Sequence, residues 1–261
     1  LINSLCKIIK EIKNLNFNLI SFDGEIWNSL GASLNEEIAL MCLSFLEMLK
    51  RNIIDDESLI NFTVSLDTDF FLNIAKIRSL RIIINNLYDH FGINPNFKIN
   101  GRTAGEIIFK ESPWVNQLRI TNAALSAAIA NVDKLTCHHI TNPLGQAPEF
   151  VRRLTRNTHI ILQEESNIGK IQDAAGGSYY IENITKSIAD KSFDFVKSIE
   201  RKGGILSLLE NKDFINTLSE NKIKKDKMLE EKSIKRIGVN LYPDKEIREI
   251  NIKPYEKIEE L

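Results

Sequence analysis

INFTVSLDTDFFLNIAKIRSLRII, residues 60–83, changes its hydrophobic period part-way, and that change decides the fold. Ile60, Phe62, Val64 and Leu66 alternate with polar neighbours, the two-residue repeat of a strand. Asp67 or Thr68 can then cap a helix, because Phe71, Ile74, Ala75, Ile77, Ile82 and Leu87 form one stripe at helical spacing. A strand leads directly into a helix.

The same unit recurs on both sides. FNLISF, residues 17–22, reads as a strand; Gly31 and Ala32 follow, and Ser33 can cap a helix over 34–50. Glu36 and Glu37 fall in its first turn, where the helix dipole favours carboxylates. Residues 97–101 form a third strand and 114–131 a third helix, whose Ala123, Ala124, Ala127 and Ala128 suit close packing on a sheet. Residues 133–139 and 150–165 repeat the pattern a fourth time. Repeated alternation argues for a parallel sheet, since parallel neighbours need crossover connections and helices supply them. Four such units make half of an eight-fold barrel or an open doubly wound sheet, and periodicity leaves both open. No strand runs into GxGxxG or GxxxxGK[ST], which weakens the nucleotide-binding version.

Beyond residue 165 the pattern changes. Gly176 and Gly177 mark a turn before Ser178-Tyr179-Tyr180, and a helix is expected over 185–202, stopped by Gly203-Gly204. Residues 219–236 mix lysine and glutamate, as a solvated helix does, and 237–261 read as extended and partly disordered. At the front, Leu5, Ile8, Ile9 and Ile12 already follow a helical stripe without an initiating Met, as in a fragment or processed chain.

Composition narrows the function. The 261 residues are 43% hydrophobic and 26% charged, ample for a globular core. With 34 basic and 35 acidic residues the net charge is -1, so no positive excess drives binding to nucleic acid or an anionic membrane. Apolar runs are all broken short of a membrane span, and no signal-peptide pattern opens the chain. Cys6, Cys42 and Cys137 lie far apart, which suggests free thiols in a reducing cytoplasm rather than a disulfide framework or a metal site.

Several stretches, in order, resemble the methylmalonyl-CoA mutase family. RNTHIILQEESNIGKIQDAAGGSYYIE (156–182) is similar to that family's RNTQ-x-IxQEES block and its D-x-x-GGSYY segment, and is the most specific match. FFLNIAKIRSLRII (70–83) resembles the family's FFxEIAKLRAARLL helix. GRTAGE (101–106) stands where the family has C/S-Q-T-S-G on its seventh barrel strand, and ISFDGEIWNSLGAS (20–33) resembles its fifth strand and following turn. IGVNLYP (237–243) is similar to its GVNxY segment, so the resemblance runs from about residue 17 to 243. It implies an α/β fold: the carboxyl-terminal half of a (β/α)8 TIM-type barrel, four parallel βα units, followed by a mostly helical extension. The expected division is half-barrel over 1–165 and helical extension with charged tail over 166–261. In the family, acyl-CoA threads the barrel, and adenosylcobalamin from a separate domain makes a substrate radical that moves a thioester group to the adjacent carbon.

Carried over position by position, the resemblance implies an altered site. The family's His on the seventh strand, which hydrogen-bonds the thioester carbonyl, is Asn100 here, and the Gln before its Thr is Arg102. Asn donates a hydrogen bond but is no proton donor or cation. SLHTN on the eighth strand becomes Lys134-Leu135-Thr136-Cys137-His138. The following acidic pair, whose Glu contacts the cofactor ribose, becomes Thr141-Asn142. Paired glycines before that strand become Ala130-Asn131, where a side chain is expected to crowd a cofactor, and Tyr-His on the fifth strand becomes Glu25-Ile26. The cobalamin-domain signature D-x-H-x-x-G is missing; Asp89-His90 are adjacent, the wrong spacing.

Altered site positions in a retained fold imply a non-catalytic small subunit that stabilises a catalytic mutase subunit as a heterodimer. No catalytic residue and no metal is expected in this chain, and adenosylcobalamin belongs to the holoenzyme. Two further readings stand beside it: a fragment of an active acyl-CoA mutase with divergent residues, and a decayed or truncated chain with no stable fold, since the open barrel edge of four βα units must be covered or will aggregate. Cys137-His138-His139 suggests a metal site, but adjacent strand residues face opposite ways. Glu164 and Glu165 fit a structural helix end better than a catalytic pair, and Trp27 and Trp114 fit core or interface. Arg152 and Arg153 can meet a phosphate or a partner's carboxylate, with surface ion pairs the plainer reading.

Overall fold

Side chains that alternate along a strand face opposite sides of a sheet. In the computed structural model, which describes residues 11, 19–94, 96–243 and 250–256, four strands keep that alternation in register. They are β1 (Leu19–Asp23), β2 (Leu59–Leu66), β3 (Asn96–Thr103) and β4 (Lys134–Thr136), all parallel in the order β1-β2-β3-β4. Phe22 pairs with Phe62 and Phe62 with Ile99, so one face is apolar. Ser21, Asn61, Thr63, Asn100 and Arg102 have the opposite parity and form the polar face. This is the half-barrel arrangement expected from the sequence.

Helices cover the apolar face. α1 (Gly24–Ser29) and α2 (Leu34–Lys50) follow β1, α3 (Phe70–Phe91) follows β2, α4 (Pro113–Ile129) follows β3, and α5 (Glu149–Ile160) follows β4. Ser33 caps α2 with a reciprocal bond: its hydroxyl accepts from Glu36 N (3.4 Å), and its own N–H donates to Glu36 Oε2 (2.7 Å). Phe45 of α2 meets Phe22 and Phe62 edge-on at 5.7 and 5.6 Å, while those two rings stack at 5.3 Å.

Residues 38–43 of α2 are all buried, which exceeds one turn and requires cover on every side. The cover is α6 (Tyr179–Glu200), lying against both α2 and α3 with Ile181, Ile188, Val196 and Ile199 turned inward. The extension continues through α7 (Gly204–Glu210) and α8 (Lys212–Glu230), in which Leu218 is buried. Helices on both sides of residue 165 therefore share one hydrophobic cluster. Among the described residues no helix is long and apolar enough to cross a membrane.

Several boundaries differ from expectation. Asp69, not Asp67 or Thr68, caps α3 by accepting from Leu72 N (3.1 Å). Asp67 is drawn away because its backbone is clasped by Asn73 and its carboxylate by Thr68. β4 covers 134–136 rather than 133–139, since only β3 among the described strands pairs with it. α6 starts at Tyr179, six residues before the expected start; Tyr179 and Tyr180 are exposed, so they give no core stripe to detect. Within the tail expected to be extended, the described residues hold no helix, Lys253 O accepts from Gln146 N (2.8 Å) and Arg119 donates to Ile237 O, while residues 244–249 and 257–261 lie outside the described residues. Cys6, the front helical stripe of Leu5, Ile8, Ile9 and Ile12, and residues 17–18 of the first strand lie outside the described residues.

The most specific motif has a structural use. Arg78 of α3 pairs with Asp173 and with Glu182 (2.6 Å for the latter), and Tyr180 meets Phe71 edge-on at 5.5 Å. The D-x-x-GGSYY-x-E run is thus the clamp that seats α6.

Candidate functional site

Parallel strands deliver their carboxyl ends to one rim, and here the polar face gathers groups distant in sequence. Asn100 sits on β3 with its amide engaged on both sides: it accepts from Thr136 Oγ1 (3.1 Å) and donates to Thr63 Oγ1 (3.4 Å). Thr63 also accepts from Asn61 Nδ2 (3.2 Å), which reaches Ser21 Oγ at 3.0 Å. A polar ladder thus crosses all four strands.

Above it lies an ion cluster. Arg102, two residues beyond Asn100 on the same face, donates from Nη1 to Asp23 Oδ2 (2.9 Å) and Glu25 Oε2 (3.0 Å). β3 and β1 flank β2, so the guanidinium spans two strand spacings, roughly 10 Å. His138 Nε2 contacts Glu25 Oε1 at 3.0 Å, and its backbone N–H donates to Thr103 Oγ1 (2.7 Å). Both oxygens of Glu25 are therefore occupied. Burial by itself raises the Glu25 carboxyl, but hydrogen bonds from His138 and Arg102 outweigh it and hold the group below its ordinary 4.5. A carboxylate so held is a poor general base.

This cluster makes a pH test possible. A depressed folded-state pKa contributes stability above the unfolded value and loses it as pH falls through the folded one. The stability gap between the native chain and Arg102→Gln is therefore expected to be full at neutral pH and to shrink below pH 4.5. Urea denaturation across that range measures it; a gap constant down to about pH 3 would remove Glu25 as the titrating partner.

Behind the rim is a buried pair. Glu37 of α2 and Lys76 of α3 have side chains 0% and 3% exposed and form a salt bridge. Glu37 Oε1 accepts from Ser65 N (2.9 Å) and Oε2 from Ser65 Oγ (2.5 Å), while Lys76 Nζ donates to Ser65 O and Oγ, each at 2.8 Å.

The remaining expected positions are dispersed. Asn142 stands in the loop after β4, half-buried, its N–H donating to His139 O (3.0 Å). Asn131 stands at the other end of β4, exposed, with φ of 58°. It stops α4 in the left-handed conformation that suits glycine or asparagine. The structure does not bring it to Asn100 or Asn142. Of Cys137, His138 and His139, His138 turns away to Glu25, while Cys137 and His139 share the other side, where His139 meets Thr141 Oγ1 (2.9 Å) and Tyr255 OH (3.3 Å). Among the described residues no three His, Cys, Asp or Glu side chains are grouped to hold a metal ion. Glu164 and Glu165 are exposed in a π-turn ending α5. Trp27 packs partly buried against the core, and Trp114 stacks on Phe150 at 5.9 Å. Sequence reading missed the pairings of Asp23, Glu25, Arg102 and His138. The available signal was that Glu25 and Arg102 introduce opposite charges at two altered rim positions.

Comparison with known proteins agrees with the motifs. Residues 5–260 match a family model described as methylmalonyl-CoA mutase. The chain is 30% identical over 246 residues to the methylmalonyl-CoA mutase small subunit of Propionibacterium freudenreichii subsp. shermanii, covering 90% of this chain and 39% of that protein. It is 31% identical over 202 residues to the small subunit of Streptomyces virginiae, covering 74% and 32%. It is 28% identical over 236 residues to a methylmalonyl-CoA mutase of Escherichia coli strain K12, covering 87% and 33%. The chain thus spans well under half the length of these relatives.

Proposed function

The chain belongs to the methylmalonyl-CoA mutase family, and from that premise we propose that it serves in a non-catalytic subunit. That subunit pairs with and stabilises the catalytic subunit of an adenosylcobalamin-dependent enzyme interconverting succinyl-CoA and methylmalonyl-CoA. The observation that carries this reading is Arg102 bridging the rim to Asp23 and Glu25 above Asn100. A thioester carbonyl placed there has to displace a guanidinium from two carboxylates. Beneath it, it meets an amide that already bonds Thr63 and Thr136 and has no proton to give up.

The residues present do not fit the cofactor either. Asn131 and Asn142, the positions that the resemblance assigns to its surroundings, stand at opposite ends of β4, and neither carries a carboxylate.

The test is mutase turnover by the full-length protein carrying this chain, supplied with adenosylcobalamin, alone and mixed with its catalytic partner. Removing one polarising group commonly costs a factor of about 10² to 10³ in rate. Several altered positions therefore predict no turnover alone, and Asn100→His by itself restores none. On mixing, the thermal midpoint of the catalytic subunit is expected to rise. A second reading, part of an active mutase with divergent residues, is favoured by the match to the Escherichia coli protein, whose name carries no subunit qualifier. Turnover above background by the protein alone would establish that reading instead.

A further inference from the structure

The helix-facing side of β4 borders a second polar cluster that the rim does not use. Leu135 and Cys137 pack against the core, on the side away from Thr136 and Asn100. Across from them, α5 presents Arg152, Arg156 and His159 at successive spacings of four and three, one face of a helix. With Thr155, Cys137 and His139 these side chains line a cleft of about 360 Å³.

Arg152 and Arg156 are both exposed, and among the described residues no carboxylate lines the cleft and neither arginine has an ion pair or side-chain hydrogen bond. The surface ion pairs expected for Arg152 and Arg153 do not form among those residues. Burial pushes the Cys137 thiol up to about 12, so it adds no negative charge and no nucleophile. His139 is a fixed wall, both ring nitrogens being engaged by Thr141 and Tyr255. Like charges four residues apart on a helix repel weakly when exposed, and an anion seated between these two would relieve them.

We propose that this cleft binds a phosphate-bearing small molecule through Arg152, Arg156 and His159, at a site separate from the barrel's polar face. A lone carboxylate is satisfied by one guanidinium fork. A phosphate dianion has oxygens enough for two forks and an imidazole N–H, and its charge matches two arginines.

The probe is inorganic pyrophosphate, titrated calorimetrically into the full-length protein at low salt. Saturable binding is expected. Arg152→Gln and Arg156→Gln should each weaken it about tenfold or more, while Arg153→Gln, outside the cleft, leaves it unchanged. Circular dichroism of each variant checks that α5 is intact. No saturable binding at millimolar pyrophosphate overturns the proposal, as does equal weakening by Arg153→Gln. So does loss of the catalytic partner subunit from the double variant when the native protein takes up no pyrophosphate; the cleft is then a protein contact.

Discussion

Lys76→Met is expected to destabilise the fold by about 3–5 kcal/mol, because it leaves Glu37 charged and buried with Ser65 as its remaining partner. The pair itself is worth much less than that figure. Two charges were taken out of water to form it, and their attraction mainly repays that desolvation. The cost therefore appears when one partner goes. For a domain of this size about 2–4 °C of thermal midpoint accompany each kcal/mol, so a drop of roughly 6–20 °C should be seen. The double variant Glu37→Gln with Lys76→Met should recover a large part of the loss, since it removes the stranded charge. Chemical denaturation of the four members of this cycle gives the coupling directly. A single-variant loss below about 1 kcal/mol would mean that water reaches Glu37 and the pair is not sealed.

Gly31→Ala is the second large effect, expected at about 2–5 kcal/mol. Gly31 has φ of +106°, and a β-carbon there would lie 2.1 Å from Leu218 O and 2.9 Å from Lys222 N. Two costs combine: the positive φ, about 1–2 kcal/mol for an L side chain, and displacement of a packed neighbour, about 1–3 kcal/mol. The obstacle is helix backbone, so no rotamer change relieves it. α8 must lift, losing the buried Leu218, the Lys222 Nζ bond to Ser29 O (2.7 Å) and the Lys225–Glu106 pair (2.8 Å). Hydrogen exchange should accordingly show protection falling first within residues 212–230, ahead of the sheet. Unchanged protection there, with stability within about 0.5 kcal/mol of native, would show that α8 does not press on Gly31.

These two sites differ in how much the sequence disclosed. Glu37 was visible only as an acid in a helix's first turn, and Lys76 only as a polar position within an apolar stripe. Their pairing depends on β2 placing Ser65 between α2 and α3, which no local pattern encodes. Gly31 was visible only as part of the connection between a strand and a capped helix. Its necessity comes from a helix nearly 190 residues later in the chain.

What the sequence by itself determined is what short-range physics governs. The alternation of Ile60, Phe62, Val64 and Leu66 set which side chains share the apolar face, the Ser33–Glu36 spacing set a helix start, and four strand–helix repeats set a parallel sheet. It also showed that Asn100 cannot transfer a proton, since side-chain chemistry is independent of fold. The tertiary structure alone decided that Asp69 rather than Asp67 caps α3 and that β4 ends at Thr136. It also decided that Arg102 bridges to Asp23 and Glu25, and that Asn131 lies at the far end of β4 from Asn142. The reason is range. Period and capping act over a few residues and leave their mark in the local pattern. A charge finds its partner only where strand order and crossover direction bring distant segments together, and local pattern is silent about which segments those are.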